Sequence, residues 1–134
     1  MRHRFPRILL CVAGVLLVLG AAAHAAAFQH AVTAIAKASN LSAFFANDFK
    51  VLWLSDSSTL FILGCFFLLA GARPAVTSPS VVLLLSLVPG ATGILIYIFV
   101  GNFYAGHLLL IAAIAAFAAG VLYPQAAIPD ERLA

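Results

Sequence analysis

The sequence predicts an all-α membrane protein, built as a four-transmembrane-helix up-down bundle. Of its 134 residues, 65% are hydrophobic and only 8% are charged, and the mean hydropathy is +1.16. A chain of this size cannot bury so much apolar surface in a water-soluble core. Four apolar stretches fill it, each close to the ~20 residues that an α-helix needs to cross the hydrocarbon of a bilayer. We therefore expect a single membrane domain over residues 1–134.

The first predicted helix covers residues 8–28. A cleaved signal peptide is the alternative, because a basic segment precedes an apolar one and Ala23-His24-Ala25 is typical of a cleavage site. The apolar run continues through Phe28, which makes a stretch of membrane-spanning length. We therefore expect the helix to be retained.

Residues 29–48 are predicted to form a periplasmic connection. Its first part, up to residue 37, extends the first helix beyond the membrane, and residues 41–46 are typical of a short interfacial helix. The second predicted helix covers residues 49–72, with Asn47 as its N-cap.

A proline-containing turn separates the second helix from the third. Ser78 is suited to cap the third helix, and Pro79 to occupy its first position. The remaining predicted elements are a third helix over 80–101, a fourth helix over 104–123 and a cytoplasmic tail over 124–134. In the fourth helix, Ala112, Ala116 and Gly120 form a stripe of small residues, which favours close helix packing in lipid.

The distribution of basic residues predicts the orientation. Lys and Arg near helix ends are retained in the cytoplasm. With both termini cytoplasmic, five basic residues lie inside and two lie outside: Arg2, Arg4, Arg7, Arg73 and Arg132 against Lys37 and Lys50. The opposite orientation would reverse this bias.

Several functional classes are disfavoured by the sequence. No clustered basic face with aromatic platforms is present, so we expect no nucleic-acid partner. Cys11 and Cys65 lie in separate apolar segments without a CxxC pair, which disfavours a thiol oxidoreductase. No catalytic or metal-binding motif is recognisable, so we expect no enzymatic activity, no metal and no cofactor.

Polar side chains recur at one predicted depth, near the outer ends of the helices. An ionisable residue costs ~2.5–3.5 kcal/mol at the centre of a membrane helix and less near its end, so such groups should face one another or water. We expect His24, Asp56 and His107 to converge in a pocket that opens to the periplasm. The full predicted set is His24, Ser55, Asp56, Thr59, Tyr97, Asn102 and His107. Two interpretations stay open: the pocket handles a proton or a small ligand, or these groups satisfy one another and lock the bundle.

The segment Leu52-Trp53-Leu54-Ser55-Asp56-Ser57-Ser58-Thr59, together with a histidine late in the first helix, resembles small four-helix inner-membrane proteins of bacteria that are broadly similar to DoxX-like proteins. This resemblance implies a fold and a location in the bacterial inner membrane, and it implies little about activity. Small multidrug transporters also have four helices. They carry an acidic residue in the middle of the first helix, where residues 14–19 of this chain have none.

The sequence thus predicts a multi-pass protein of the bacterial inner membrane that acts as a non-enzymatic accessory or scaffold component. Its expected partners are the lipid bilayer and either further copies of the chain or a larger membrane complex. The alternative is an oligomeric, transporter-like protein that handles protons or small molecules through the polar pocket.

Overall fold

The computed structural model describes residues 4–38 and 40–123, and these are almost entirely helical. The helices are α1 (Arg4–Ala26), α2 (Phe28–Ala38), α3 (Ala43–Ala72), α4 (Pro79–Phe99) and α5 (Tyr104–Leu122), with a 3₁₀ turn at Pro74–Val76. Four of them, α1, α3, α4 and α5, are long and apolar enough to cross a membrane. The prediction of an all-α chain with four such helices is confirmed.

The four long helices pack in the spatial order α3–α1–α5–α4. Helix α1 contacts both α3 and α5, whereas α4 packs mainly against α5 and hardly touches α3. Arg7 at the start of α1 lies beside Gly71 at the end of α3, and His24 at the end of α1 lies beside Trp53. These contacts make α1 and α3 antiparallel. The arrangement leaves α1 and α5 in the middle and one broad face of α3 and of α4 uncovered.

Helix α5 supplies the small side chains of the core. Ala112, Ala116 and Gly120 are all buried, so the predicted stripe does form a packing surface. A Cβ atom on Gly120 would lie 2.8 Å from Cγ of Leu83 on α4. Small residues let helix backbones approach closely where lipid gives the helices no hydrophobic reason to associate.

A close approach between the backbones of α1 and α3 involves two glycines. A Cβ atom on Gly14 would lie 2.8 Å from the carbonyl oxygen of Gly64, and one on Gly64 would lie 2.9 Å from that of Gly14. Each glycine therefore packs against the backbone of the other helix. Sequence analysis did not identify this contact, because the two residues are isolated glycines in separate helices.

Arg7 ties the first helix to the end of the third. Its Nε donates a hydrogen bond to the carbonyl oxygen of Gly71 at 2.8 Å, and its Nη2 donates to that of Ala72 at 3.1 Å. The last carbonyls of a helix have no partner within the helix and carry the negative end of its dipole, so a guanidinium is well suited to this position. Nearby, the Tyr123 hydroxyl donates to the Pro74 carbonyl oxygen at 3.4 Å. Burial raises the pKa of Tyr123, and the positive charge of Arg7 opposes this shift.

The connection between α1 and α3 is divided differently from the prediction: a turn at Ala27 separates α2 from α1, and α3 begins earlier than expected. Helix α3 begins at Ala43, so residues 41–46 do not form a separate interfacial helix. The predicted N-cap at Asn47 is also wrong: Asn47 lies inside α3, and its Oδ1 accepts a hydrogen bond from Lys50 Nζ at 3.2 Å. No glycine or proline interrupts residues 43–49, and a helix therefore continues through them.

The cap of α4 agrees with the sequence. Ser78 is the N-cap, its Oγ accepts a hydrogen bond from the Val81 N–H at 3.4 Å, and Pro79 occupies the first helical position. Ser39, the predicted tail at 124–134, and the basic residues Arg2 and Arg132 lie outside the described residues.

Candidate functional site

The candidate site lies where the end of α1 meets the first half of α3. His24 is in the last turn of α1, and Trp53 and Asp56 are three residues apart on α3. Residues at this spacing share one face of a helix. Both side chains contact His24, so this face of α3 packs against the end of α1.

Trp53 holds His24 in two ways. The indole and imidazole rings stack with their centroids 4.1 Å apart and their planes only 10° from parallel. In addition, the indole Nε1 donates a hydrogen bond to the His24 carbonyl oxygen at 2.8 Å. That carbonyl is one of the last four of α1, a group that commonly needs a partner from outside its helix. The orientation of the imidazole is thus constrained through both its ring and its backbone.

The Asp56 carboxylate approaches the Nε2 atom of the same imidazole. Its Oδ2 lies 3.6 Å from Nε2 of His24, with side-chain exposures of 41% and 31% respectively. The separation is that of an ion pair when His24 carries a proton, and it is also short enough for one water to connect the two groups. A carboxylate beside a histidine can hold and release a proton or attract a small cation.

The neighbouring hydroxyl groups are used within α3 itself. Thr59 Oγ1 donates to the Ser55 carbonyl oxygen at 2.8 Å, Ser58 Oγ to that of Leu54 at 2.8 Å, and Ser57 Oγ to that of Trp53 at 3.1 Å. Such bonds to the preceding turn satisfy hydroxyl donors that would otherwise be costly in an apolar surrounding. Ser57 is also buried and lies with Ser58 near the end of α1, but the hydroxyl groups of both are bonded within α3. The ion-pair contact from this run to α1 is that of Asp56.

A second polar pair lies between α4 and α5. The rings of Tyr97 and His107 meet edge to face with centroids 5.3 Å apart, and His107 Nδ1 lies 3.1 Å from the Phe103 carbonyl oxygen. Gly106 provides the space, since a Cβ there would lie 3.1 Å from the Tyr97 ring. Asn102 is exposed in the connection before α5.

The structure therefore brings the predicted residues together as two pairs. Within residues 4–38 and 40–123, no hydrogen bond, ion pair or ring contact links His24 or Asp56 to His107 or Tyr97. Ser55 and Thr59 are exposed on α3. A single pocket containing all seven residues stays a prediction. Among the described residues, no group of three His, Cys, Asp or Glu side chains could hold a metal ion.

Sequence analysis missed the role of Trp53, which is absent from the predicted set of site residues. The available signal was its spacing: an aromatic residue three positions before an acidic residue deep in an apolar helix lies on the same face. No protein-family model matches the chain, and no curated protein or solved structure is significantly similar to it.

Proposed function

We propose that this chain is a multi-pass protein of the bacterial inner membrane, with both termini in the cytoplasm, and that it acts as a non-enzymatic accessory or scaffold component. The observation that carries the proposal is the apolar outer surface of the long helices. Ile62 on α3, Leu84 on α4 and Ile114 on α5 are each about two-thirds exposed, at 68%, 66% and 67%. A water-soluble protein rarely exposes a continuous apolar surface of this extent.

The positions of the charges support the orientation. Arg4 and Arg7 start α1, and Arg73 directly follows α3 at the same end of the structure. Lys37 ends α2, and Lys50 lies in the early turns of α3 at the other end. More positive charge at the first end favours its cytoplasmic location.

The row-like packing supports an accessory role. Helix α4 packs mainly against α5, so the rest of its surface is free to contact lipid or another membrane helix. A helix in this position can join a partner without disturbing the α1–α3 and α1–α5 contacts. Helix association in membranes depends on close packing and interhelical hydrogen bonds, which a second protein can supply.

Membrane topology can be tested with single cysteines placed at Ala34 and Thr77, after Cys11 and Cys65 are replaced by alanine. An impermeant maleimide added to intact spheroplasts should label position 34 and leave position 77 unlabelled until the membrane is opened. Labelling of position 77 from outside would reverse the proposed orientation.

The accessory role can be tested with a photo-crosslinking amino acid at Ile98, which is 65% exposed on α4. The matched control is Val82 on the same helix, which is fully buried. We expect a discrete membrane-protein adduct from position 98 and none from position 82. Adducts with lipid alone at position 98 would contradict a partner on this face.

The His24–Asp56 pair favours a second candidate function, the handling of protons or small cations. Proteoliposomes containing a pH-sensitive dye can report a proton flux. Asp56→Asn should abolish such a flux, whereas Asp48→Asn, which alters an exposed carboxyl group in the first turns of α3, should leave it unchanged. Equal fluxes in both variants, or none in the unmodified protein, would rule this candidate out.

A further inference from the structure

A groove on the outer surface lies between α1 and the C-terminal end of α3, far from the His24–Asp56 pair. Its volume is about 640 Å³, within the ~300–1,000 Å³ range of small-molecule sites. The wall is formed by apolar side chains of α1, including Ile8, Val12 and Val15. Gly71 and Ala72, at the end of α3, complete the lining.

Two arginines border one end of this groove, which we name the arginine groove. Arg4 and Arg7 both line it, and their spacing of three residues puts them on one face of α1. Arg7 is held in place by its hydrogen bonds to the Gly71 and Ala72 carbonyl oxygens. The Arg4 guanidinium makes no hydrogen bond or ion pair with any residue that the structure describes. The carboxylates among the described residues, Asp48 and Asp56, lie in the first half of α3, whereas the groove meets only its last two residues.

The length of the groove corresponds to one leaflet of a bilayer. From Arg4 to Val15 the helix rises roughly 16 Å at 1.5 Å per residue, and half of a ~30 Å hydrocarbon core is about the same. Arginines at one end and an apolar trough below them therefore have the dimensions of a lipid: a headgroup at the membrane surface and an acyl chain beneath it.

We propose that the arginine groove binds an anionic phospholipid, with its phosphate at Arg4 and Arg7 and one acyl chain along Ile8, Val12 and Val15. Basic residues beside a membrane surface attract anionic headgroups, and basic pockets between membrane helices bind them specifically. A guanidinium can donate two parallel hydrogen bonds to a phosphate. The apolar wall favours a lipid over a soluble anion, because a free phosphate has no apolar group that could contact it. Lipid binding at this site does not depend on which partner or activity the protein has.

Native mass spectrometry of the full chain, released from micelles with added lipid, tests the charge component. Phosphatidylglycerol and phosphatidylcholine with identical acyl chains are compared. We expect preferential retention of phosphatidylglycerol, and we expect Arg4→Gln to weaken it about fivefold, as the loss of one basic residue at a membrane surface predicts. The matched control is Arg73→Gln, which removes a basic residue from the same end without altering the groove lining. Equal retention of the two lipids, or equal effects of the two variants, would overturn the proposal.

A second pair of variants tests the acyl component without removing charge. Val12→Trp fills the groove, whereas Leu84→Trp adds the same ring to an exposed site on α4 outside it. Monodisperse elution in size-exclusion chromatography and unchanged resistance to limited proteolysis establish that both variants fold. Val12→Trp should reduce phosphatidylglycerol retention, and Leu84→Trp should not. Displacement of the lipid by glycerol 3-phosphate at equal concentration, or unchanged retention in Val12→Trp, would contradict an acyl-binding groove.

Discussion

Substitution of Gly64 by alanine directly tests the close packing of α1 against α3. The added Cβ would lie 2.8 Å from Cγ2 of Val18 and 2.9 Å from the carbonyl oxygen of Gly14. Ordinary van der Waals contacts begin at 3.4 Å, so these separations must lengthen by about 0.5–0.6 Å. The Val18 side chain can rotate away, but the Gly14 carbonyl belongs to the helix backbone. Relief of that contact therefore requires the two helices to move apart.

The expected loss of unfolding free energy follows from the distance by which the two helices must move apart. Overpacking of a well-packed core typically costs about 1–3 kcal/mol. Alanine also favours a helix over glycine by about 1 kcal/mol, but this gain largely cancels when the helices persist in the detergent-unfolded state. We therefore expect Gly64→Ala to reduce the free energy of unfolding by about 1–2 kcal/mol.

Unfolding by sodium dodecyl sulfate in mixed micelles can measure this change through Trp53 fluorescence. Trp53 is the single tryptophan of the chain, and its ring stacks on His24 across the α1–α3 interface. Its emission therefore reports the separation of these two helices. Gly90→Ala is the matched control, because its new Cβ would lie 3.5 Å from the Ala113 Cβ, an ordinary contact. We expect the control to change stability by less than about 0.5 kcal/mol.

The double variant Gly14→Ala/Gly64→Ala sharpens the test. Once one substitution has moved the helices apart, the second should cost less, so the two effects should not add. Strict additivity would indicate that the glycines do not share one contact. Unfolding of Gly64→Ala at the same or a higher detergent fraction than Gly90→Ala would refute the close approach.

Three further predictions concern single contacts. Trp53→Phe keeps an aromatic ring beside His24 but loses the indole hydrogen bond, and should reduce the free energy of unfolding by about 0.6–1.5 kcal/mol. Detergent unfolding followed by near-ultraviolet circular dichroism, which reports tertiary packing, measures this change, and no reduction would contradict that bond. Arg7→Lys keeps the positive charge but cannot donate both hydrogen bonds to the end of α3, and it should reduce the free energy of unfolding by about 1–2 kcal/mol. The control Arg4→Lys should leave that free energy unchanged, and equal effects of the two variants would exclude Arg7 as a cap of α3. Gly101 has φ +91°, and an added Cβ would meet nothing within 4 Å. Gly101→Val should therefore reduce the free energy of unfolding by about 1–2 kcal/mol through backbone strain alone. Gly101→Asn should reduce it less, and unfolding midpoints measure both changes.

The candidate site was only partly accessible from the sequence. The rarity of ionisable residues within apolar stretches identified His24, Asp56 and His107, because each such residue is costly in lipid unless it has a partner. The depth of a residue along a helix could also be estimated from its position. The sequence could not show which residues at that depth face one another, because their pairing depends on the order and the rotation of the helices. The structure pairs His24 with Asp56 and Tyr97 with His107.

The amino-acid sequence by itself determined the helical class, the four apolar spans and the cap of α4, because hydropathy and capping are properties of contiguous segments. Only the tertiary structure decided that the order is α3–α1–α5–α4, that Gly14 meets Gly64 and that Arg7 caps a helix 64 residues away. The physical reason is that these helices are apolar on nearly every side. Their packed faces carry no periodic polar boundary in the sequence, and in lipid they are selected by the fit between two surfaces rather than by hydrophobicity.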